Sequence, residues 1–351
     1  MTAAAAGSEV GPVVRRMQQQ LTEAGIGPAR AESRQIVAHA LGVSLGDLRL
    51  AELTGRLRVN AERLHTIETL TERRSHRIPL QHVLGSAPFR ALDLAVGPGV
   101  FVPRPETELL VERALELLTE RRAAGQTPVS APDGSAAAVA ARLGTAPRLL
   151  QVFEAGTGSA AISLAIATEM PRTRVRTVEL EPAAQAWAQR NIDAQADGLA
   201  AVESAVALVA GDAIADLATA SSSPSSARSQ TRSTVHLAPG RPAAEPVGAF
   251  DLIVSNPPYV PTGDVPLEPE ARADPASALY SGADGLDFIR ALISPAFAAL
   301  QGGGGILLEH TEQQGADVRT LLEGVGFEAA QTHRDLTGRD RFTEARRPLR
   351  R

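Results

Sequence analysis

The 351-residue chain contains no cysteine and no lysine. Without cysteine it can build no disulfide framework, no thiolate zinc site and no cysteine nucleophile. Without lysine every fixed cation is an arginine, and beside the abundant alanine, glycine and proline this reads as a coding bias rather than a functional adaptation. No apolar run approaches the ~20 residues that a membrane helix needs. The opening "MTAAAAGSEVGPVVRRMQQQ" lacks the basic start, apolar centre and cleavage site of a signal peptide, so the cytoplasm is the expected compartment. An excess of cations is missing as well: the net charge is −5, which argues against a protein whose main work is gripping duplex DNA while leaving room for a local basic surface. What is present is a soluble, globular composition, 44 % hydrophobic and 21 % charged, on a chain long enough for two domains.

From about Val13 to Leu84 apolar residues recur at threes and fours, with glycine or proline between the repeats, which predicts a bundle of four or five short helices over 1–86. "FRALDLAVGPGVFV" (Phe89 to Val102) alternates and predicts a β-hairpin linker over 87–103. In "VPRPETELLVERALELLTERR" the early proline and acids set a helix start at about Pro105 or Glu106. Beyond it, over 104–351, strands and helices alternate, which implies an α/β fold with a mostly parallel sheet and helices on both faces. Two low-complexity segments, at about 122–146 and 214–248, interrupt this pattern and read as insertions.

Two strand ends carry the chemistry. The end of the strand "RLLQVFEAG" runs into Glu154-Ala155-Gly156-Thr157-Gly158-Ser159-Ala160, a turn that lets the backbone approach a ligand at a helix N-terminus, or is simply tight. Glu179 closes the next strand, placed to accept the hydroxyls of a ribose. An acid at Glu154 opposes a pyrophosphate and suits a cation, which favours S-adenosyl-L-methionine over a dinucleotide. Asp212 and Ala213, ending the following strand, lie where an adenine would be bracketed. The second strand, "FDLIVS", stops at Asn256-Pro257-Pro258-Tyr259, because proline supplies no N–H to a central ladder. An amide or exocyclic amine nitrogen is a poor nucleophile because its lone pair is delocalised. Carbonyl acceptors from the Asn256 side chain and the Pro257 backbone can hold its N–H bonds and stabilise growing charge, and Tyr259 can pack over the planar group.

Asn256 to Tyr259 resembles the signature of amino-directed class I (Rossmann-like) methyltransferases. "PRPETE" (Pro103 to Glu108), "LYSGADGLDFIRALI" (Leu279 to Ile293), "ILLEH" and "DLTGRDRFTEARR" together resemble the peptide chain release factor glutamine methyltransferases of the PrmC/HemK type. That resemblance implies methylation, in the cytoplasm, of the glutamine side-chain amide in the Gly-Gly-Gln motif of class I release factors. It implies cofactor contacts from Glu154, Gly156, Thr157, Gly158, Ser159, Ala160, Glu179, Asp212, Ala213 and Asn256. Asn256, Pro257 and Tyr259 would be catalytic, with Pro258 and Arg104 helping to hold the substrate. The N-terminal bundle would bind the release factor. Arg104 and Glu106 would brace the pocket or cap the helix that follows. A monomer with no metal, no membrane contact and no direct nucleic-acid contact is expected. The chain departs from the pattern at Glu154-Ala155, Ala160, Glu179 and Thr311.

An adenine-N6 nucleic-acid methyltransferase shares the catalytic signature, but it flips its base and needs a basic recognition domain. "PRPETE" disfavours a ribosomal-protein glutamine methyltransferase, and the intact Asn256 to Tyr259 disfavours a binding module without turnover.

Overall fold

The computed structural model describes residues 7–125, 147–221, 250–265 and 269–349. By contact the chain divides into a first unit, Met1–Ala87 with Val96–Pro98 and Pro266–Asp274, and a second unit holding the remainder.

Among the described residues of the first unit are five helices, α1 (Val10–Glu23), α2 (Ala29–Leu41), α3 (Leu45–Thr54), α4 (Ala61–Ser75) and α5 (Leu80–Leu84). Side-chain caps start two of them: Ser44 accepts from Asp47 N at 3.0 Å and Asn60 from Arg63 N at 2.8 Å. Val10, Val13, Val14, Met17, Val37, Leu48 and Ile67 form the core that the helical periodicity marks out. The short strands β1 (Ser8–Glu9) and β2 (Arg58–Val59) pair antiparallel at its edge. Arg74, 4 % exposed, is held by Glu32 at 2.6 Å and by Glu270 at 2.8 Å. A guanidinium so deeply buried requires both carboxylates. That pairing puts the described 269–274 segment with the bundle, although the sequence reading assigns everything from 104 onward to the second domain.

The hairpin expected after the bundle forms from β3 (Ser86–Phe89) and β4 (Leu92–Ala95). Its turn falls at Arg90 and Ala91, ahead of Gly97-Pro98-Gly99.

The rest of the second unit alternates as the sequence implies: α6 (Thr107–Gly125), β5 (Leu150–Ala155), α7 (Ala161–Glu169), β6 (Thr173–Glu179), α8 (Pro182–Ala194), α9 (Ala196–Ala201), β7 (Ala205–Ala210), α10 (Ala213–Ser221) and β8 (Phe250–Ser255). It continues with α11 (Ala276–Leu279), α12 (Asp287–Ala299), β9 (Leu300–Glu309), α13 (Gly315–Val325), β10 (Glu328–Arg334) and β11 (Asp340–Arg346). The sheet order is β10-β11-β9-β8-β5-β6-β7; β9, β8, β5, β6 and β7 run parallel, and the final hairpin adds antiparallel to β9. Period-two alternation assigns the two faces. Val152, Leu252, Val254 and Leu307 pack with Leu110, Leu118, Leu164 and Ile166 of α6 and α7. Phe153, Ile253, Ile306 and Leu308 pack with Leu217, Ile289, Leu292 and Leu322 of α10, α12 and α13. Each such fully buried side chain contributes roughly 1.5–3 kcal/mol.

Both segments read as insertions begin later than expected, because α6 runs to Gly125 and α10 to Ser221. The remainder of those readings, 126–146 and 222–248, lies outside the described residues.

Candidate active site

Strand order reverses at β5, which pairs with β6 on one side and β8 on the other. Loops leaving the carboxyl ends of strands at such a reversal diverge and open a crevice. The loop after β5 and the Asn-Pro-Pro-Tyr loop after β8 therefore face one cavity. It is lined by Glu154, Gly156, Thr157, Gly158, Ser159, Glu179, Asp212, Ala213, Asn256, Pro258, Tyr259 and Arg104. Of the sequence-derived candidates, Ala160, Pro257 and Glu106 do not line it. Ala160 instead shapes the backbone. It sits at φ +65°, a left-handed conformation that costs an alanine roughly 1–2 kcal/mol, and fixes the turn into α7. Gly156 and Gly158, at φ +72° and +56°, turn the loop without that cost.

Glu179 is pre-oriented. Its Oε2 accepts from Gly158 N at 2.8 Å and its Oε1 from Glu181 N at 3.0 Å. Each oxygen keeps a second lone pair for a ligand hydroxyl. Asp212 has a second job, since its Oδ1 caps α10 by accepting from Ile214 N at 2.8 Å. Arg104 lies over the Phe101 ring, 5.1 Å from its centroid, and Phe101 also lines the cavity.

Glu154 is 1 % exposed. Its Oε2 accepts from Thr157 Oγ1 at 2.6 Å, from Thr177 Oγ1 at 3.1 Å and from Ser163 Oγ. Burial pushes the carboxyl up to about 7, with the hydroxyls of Ser163, Thr157 and Thr177 pulling the other way. A cation in the cavity would draw it back toward the charged form.

Two residues at this site carried no assigned role in the sequence reading: Thr107, the threonine of "PRPETE", and Glu309, the acid of "ILLEH". Thr107 Oγ1 donates to Glu309 Oε2 at 2.7 Å and accepts from Asn256 Nδ2 at 3.2 Å. Tyr259 Oη donates to Glu309 Oε1 at 3.3 Å. Burial pushes Glu309 up to about 7 while Thr107, Arg341 and Tyr259 oppose the rise, and burial also raises the Tyr259 phenol, which stays protonated. The Tyr259 main chain is clamped too: Gln314 Nε2 donates to Tyr259 O at 3.0 Å and to Asp284 O at 2.9 Å. His310, the residue after Glu309, is buried and kept neutral, with its Nε2 2.8 Å from Thr343 Oγ1. Among the described residues no cluster of acids and histidines has the makings of a metal site, and no helix is long and apolar enough to cross a membrane.

The architecture and cavity can be set beside known proteins. Residues 13–85 match the PrmC N-terminal domain. The release factor-specific protein-(glutamine-N5) methyltransferase of Alicyclobacillus acidocaldarius superposes over 72 % of this chain and 98 % of its own, at 24 % identity and a TM-score of 0.35. Over 339 residues the chain is 35 % identical to the release factor glutamine methyltransferase of Corynebacterium glutamicum, covering 96 % of this chain and 99 % of that protein. Over 332 residues it is 34 % identical to the enzyme of that name from Bifidobacterium longum, covering 94 % and 97 %. On the strength of these full-length relatives, the chain belongs to the release factor glutamine methyltransferase family.

Proposed function

We infer that this chain moves the methyl group of S-adenosyl-L-methionine onto the side-chain amide nitrogen of a glutamine in a peptide chain release factor, in class I factors the glutamine of Gly-Gly-Gln. The observation that carries the reading is the placement of Asn256 and Tyr259 on the wall of the cavity that the glycine loop and Glu179 also line. Bound there, the cofactor supplies an electrophilic methyl group on a sulfonium.

The donor set fits that molecule. Glu179 offers acceptors to a ribose, Glu154 places an acid near a cation, and the pair would repel a pyrophosphate. Asn256 Oδ1 accepts one N–H bond of the glutamine amide and aims its lone pair, while Tyr259 covers the amide plane. No general base of matched pKa is needed, because an alkylated amide nitrogen loses its proton readily. Arg104 braces the substrate side of the cavity. A reaction that does not require gripping nucleic acid agrees with the net charge of −5, and the chain is read as a monomer acting in the cytoplasm. The 13–85 region is the candidate surface for the release factor, by its match to the PrmC N-terminal domain.

Incubation with radiolabelled S-adenosylmethionine and, in separate reactions, a release factor, duplex DNA and ribosomal protein tests this directly. Mass spectrometry should place one methyl group on the Gly-Gly-Gln glutamine. Label appearing in adenine instead would overturn the assignment.

A further inference from the structure

The side-chain amide of Asn256 has an accepting end and a donating end, and only one orientation turns the oxygen toward a substrate N–H. Resting on the methyl-transfer reading above, we propose that Glu309 is a positioning residue that sets this orientation, acting through the hydroxyl of Thr107.

The argument is one of hydrogen-bond polarity. Above about pH 7, where Glu309 is ionised, its carboxylate only accepts, whereas a threonine hydroxyl has one proton to give and lone pairs to receive. Thr107 gives its proton to Glu309 Oε2 at 2.7 Å, so the side of its oxygen that meets Asn256 can only accept. The Asn256 end that approaches it, at 3.2 Å, must therefore be the NH₂, which leaves Oδ1 for the reacting amide. Tyr259 spends its phenolic proton on the other carboxylate oxygen, at 3.3 Å. One buried acid thus sets the direction of two hydrogen bonds that end on residues of the Asn-Pro-Pro-Tyr loop. All of these groups belong to the second unit, and Glu309 itself does not line the cavity.

Glu309→Gln is nearly isosteric and inverts this logic. A glutamine NH₂ can donate to Thr107, whose proton is then released toward Asn256 and favours the flipped amide. Turnover at saturating cofactor and release factor should fall about 10- to 100-fold, part of the loss typical of a whole preorganised group. The calorimetric affinity for S-adenosylmethionine and the thermal midpoint should stay near those of the parent. Thr107→Val, also nearly isosteric, should lose a similar factor, and the two changes together no more than either alone, because they break one chain. Asn256→Asp supplies the sharper arm. Its carboxylate needs a donor from Thr107, which Glu309 monopolises, so adding Glu309→Gln to Asn256→Asp should raise activity above that of Asn256→Asp alone.

Parent-level turnover in Glu309→Gln, multiplicative losses in the Thr107→Val combination, or no recovery in the Asn256→Asp combination would each overturn the role of Glu309. The parent, run in the same assay, tests the methyl-transfer reading separately: an inactive parent removes that reading, whereas an active one leaves only Glu309 at stake.

Discussion

Two buried carboxyls stand at the ends of strands in one sheet, Glu154 on β5 and Glu309 on β9, each 1 % exposed and each pushed by burial up to about 7. Their wiring differs. Glu154 draws its donors from Thr157, Ser163 and Thr177, 3, 9 and 23 residues along the chain, and so ties its strand end to the loop that follows, to α7 and to β6. Glu309 draws on Thr107 and Tyr259, 202 and 50 residues away, and ties three distant segments together. On the proposed reading, the same chemistry would shape a cofactor loop in one case and orient a reacting group in the other. Damage on the first side should therefore appear in cofactor affinity, and damage on the second in turnover.

Asn256→Ala is the most forceful test of that division. It removes an acceptor whose bond strengthens as charge develops on nitrogen, and turnover should fall about 100- to 1,000-fold with a much smaller change in cofactor affinity. Equal losses in both quantities would dissolve the distinction. On the opposite side, Glu179→Ala should weaken calorimetric binding of S-adenosylmethionine about 10- to 100-fold, the loss of one or two charge-assisted hydrogen bonds. Unchanged binding would remove Glu179 from the cofactor site.

Glu154 sharpens the comparison through pH. Free, the carboxyl titrates near 7; a bound cation favours its charged form, so binding releases a proton. Affinity should climb with pH up to about 7, by at most about tenfold per unit, and level off above it. Glu154→Gln should flatten that slope, and calorimetry across pH 5.5–8.5 would measure it; a slope that survives the substitution must come from another group.

Ala160→Gly should have the smallest effect. Relief of about 1–2 kcal/mol of left-handed strain is offset by about 0.8 kcal/mol for the lost buried methyl and about 0.5–1 kcal/mol of extra chain entropy. Stability from urea unfolding should move by less than about 1 kcal/mol. A larger drop would mean that the methyl group packs more tightly than the backbone strain suggests.

Local chemistry was the legible part of the fold and site. Alternation of strand and helix, the glycine loop with its acid about twenty residues on, and the strand stopped by two prolines all act within one supersecondary unit. Resemblance to a family reached "PRPETE" and "ILLEH" as words, but nothing in either says that Thr107 and Glu309 meet, since their 202-residue separation follows no period. The pairing of Arg74 with Glu270, 196 residues apart, escaped for the same reason, and with it the grouping of 269–274 with the bundle. The end of α6 and nearly all of α10 were hidden differently. "RRAAG" and "IADLATAS" read as part of the low-complexity segments, yet both are rich in alanine, the strongest helix former, and are helical. Glu106 was credited with a place at the cavity that the neighbouring Arg104 and Thr107 occupy.

Gly285 has φ +78°, and a Cβ built on it would lie 2.2 Å from the carbonyl oxygen of Tyr259 and 2.6 Å from Gln314 Nε2. A hydrogen atom in place of a methyl group is thus what lets the Asn-Pro-Pro-Tyr loop keep its course. In a random-mutagenesis screen for lost methyl transfer, position 285 should surface beside position 256 although it touches neither cofactor nor glutamine. A catalogue of inactivating changes would then trace the support of the site as well as the site itself, and distance from the cavity would be a poor guide to which variants are harmless.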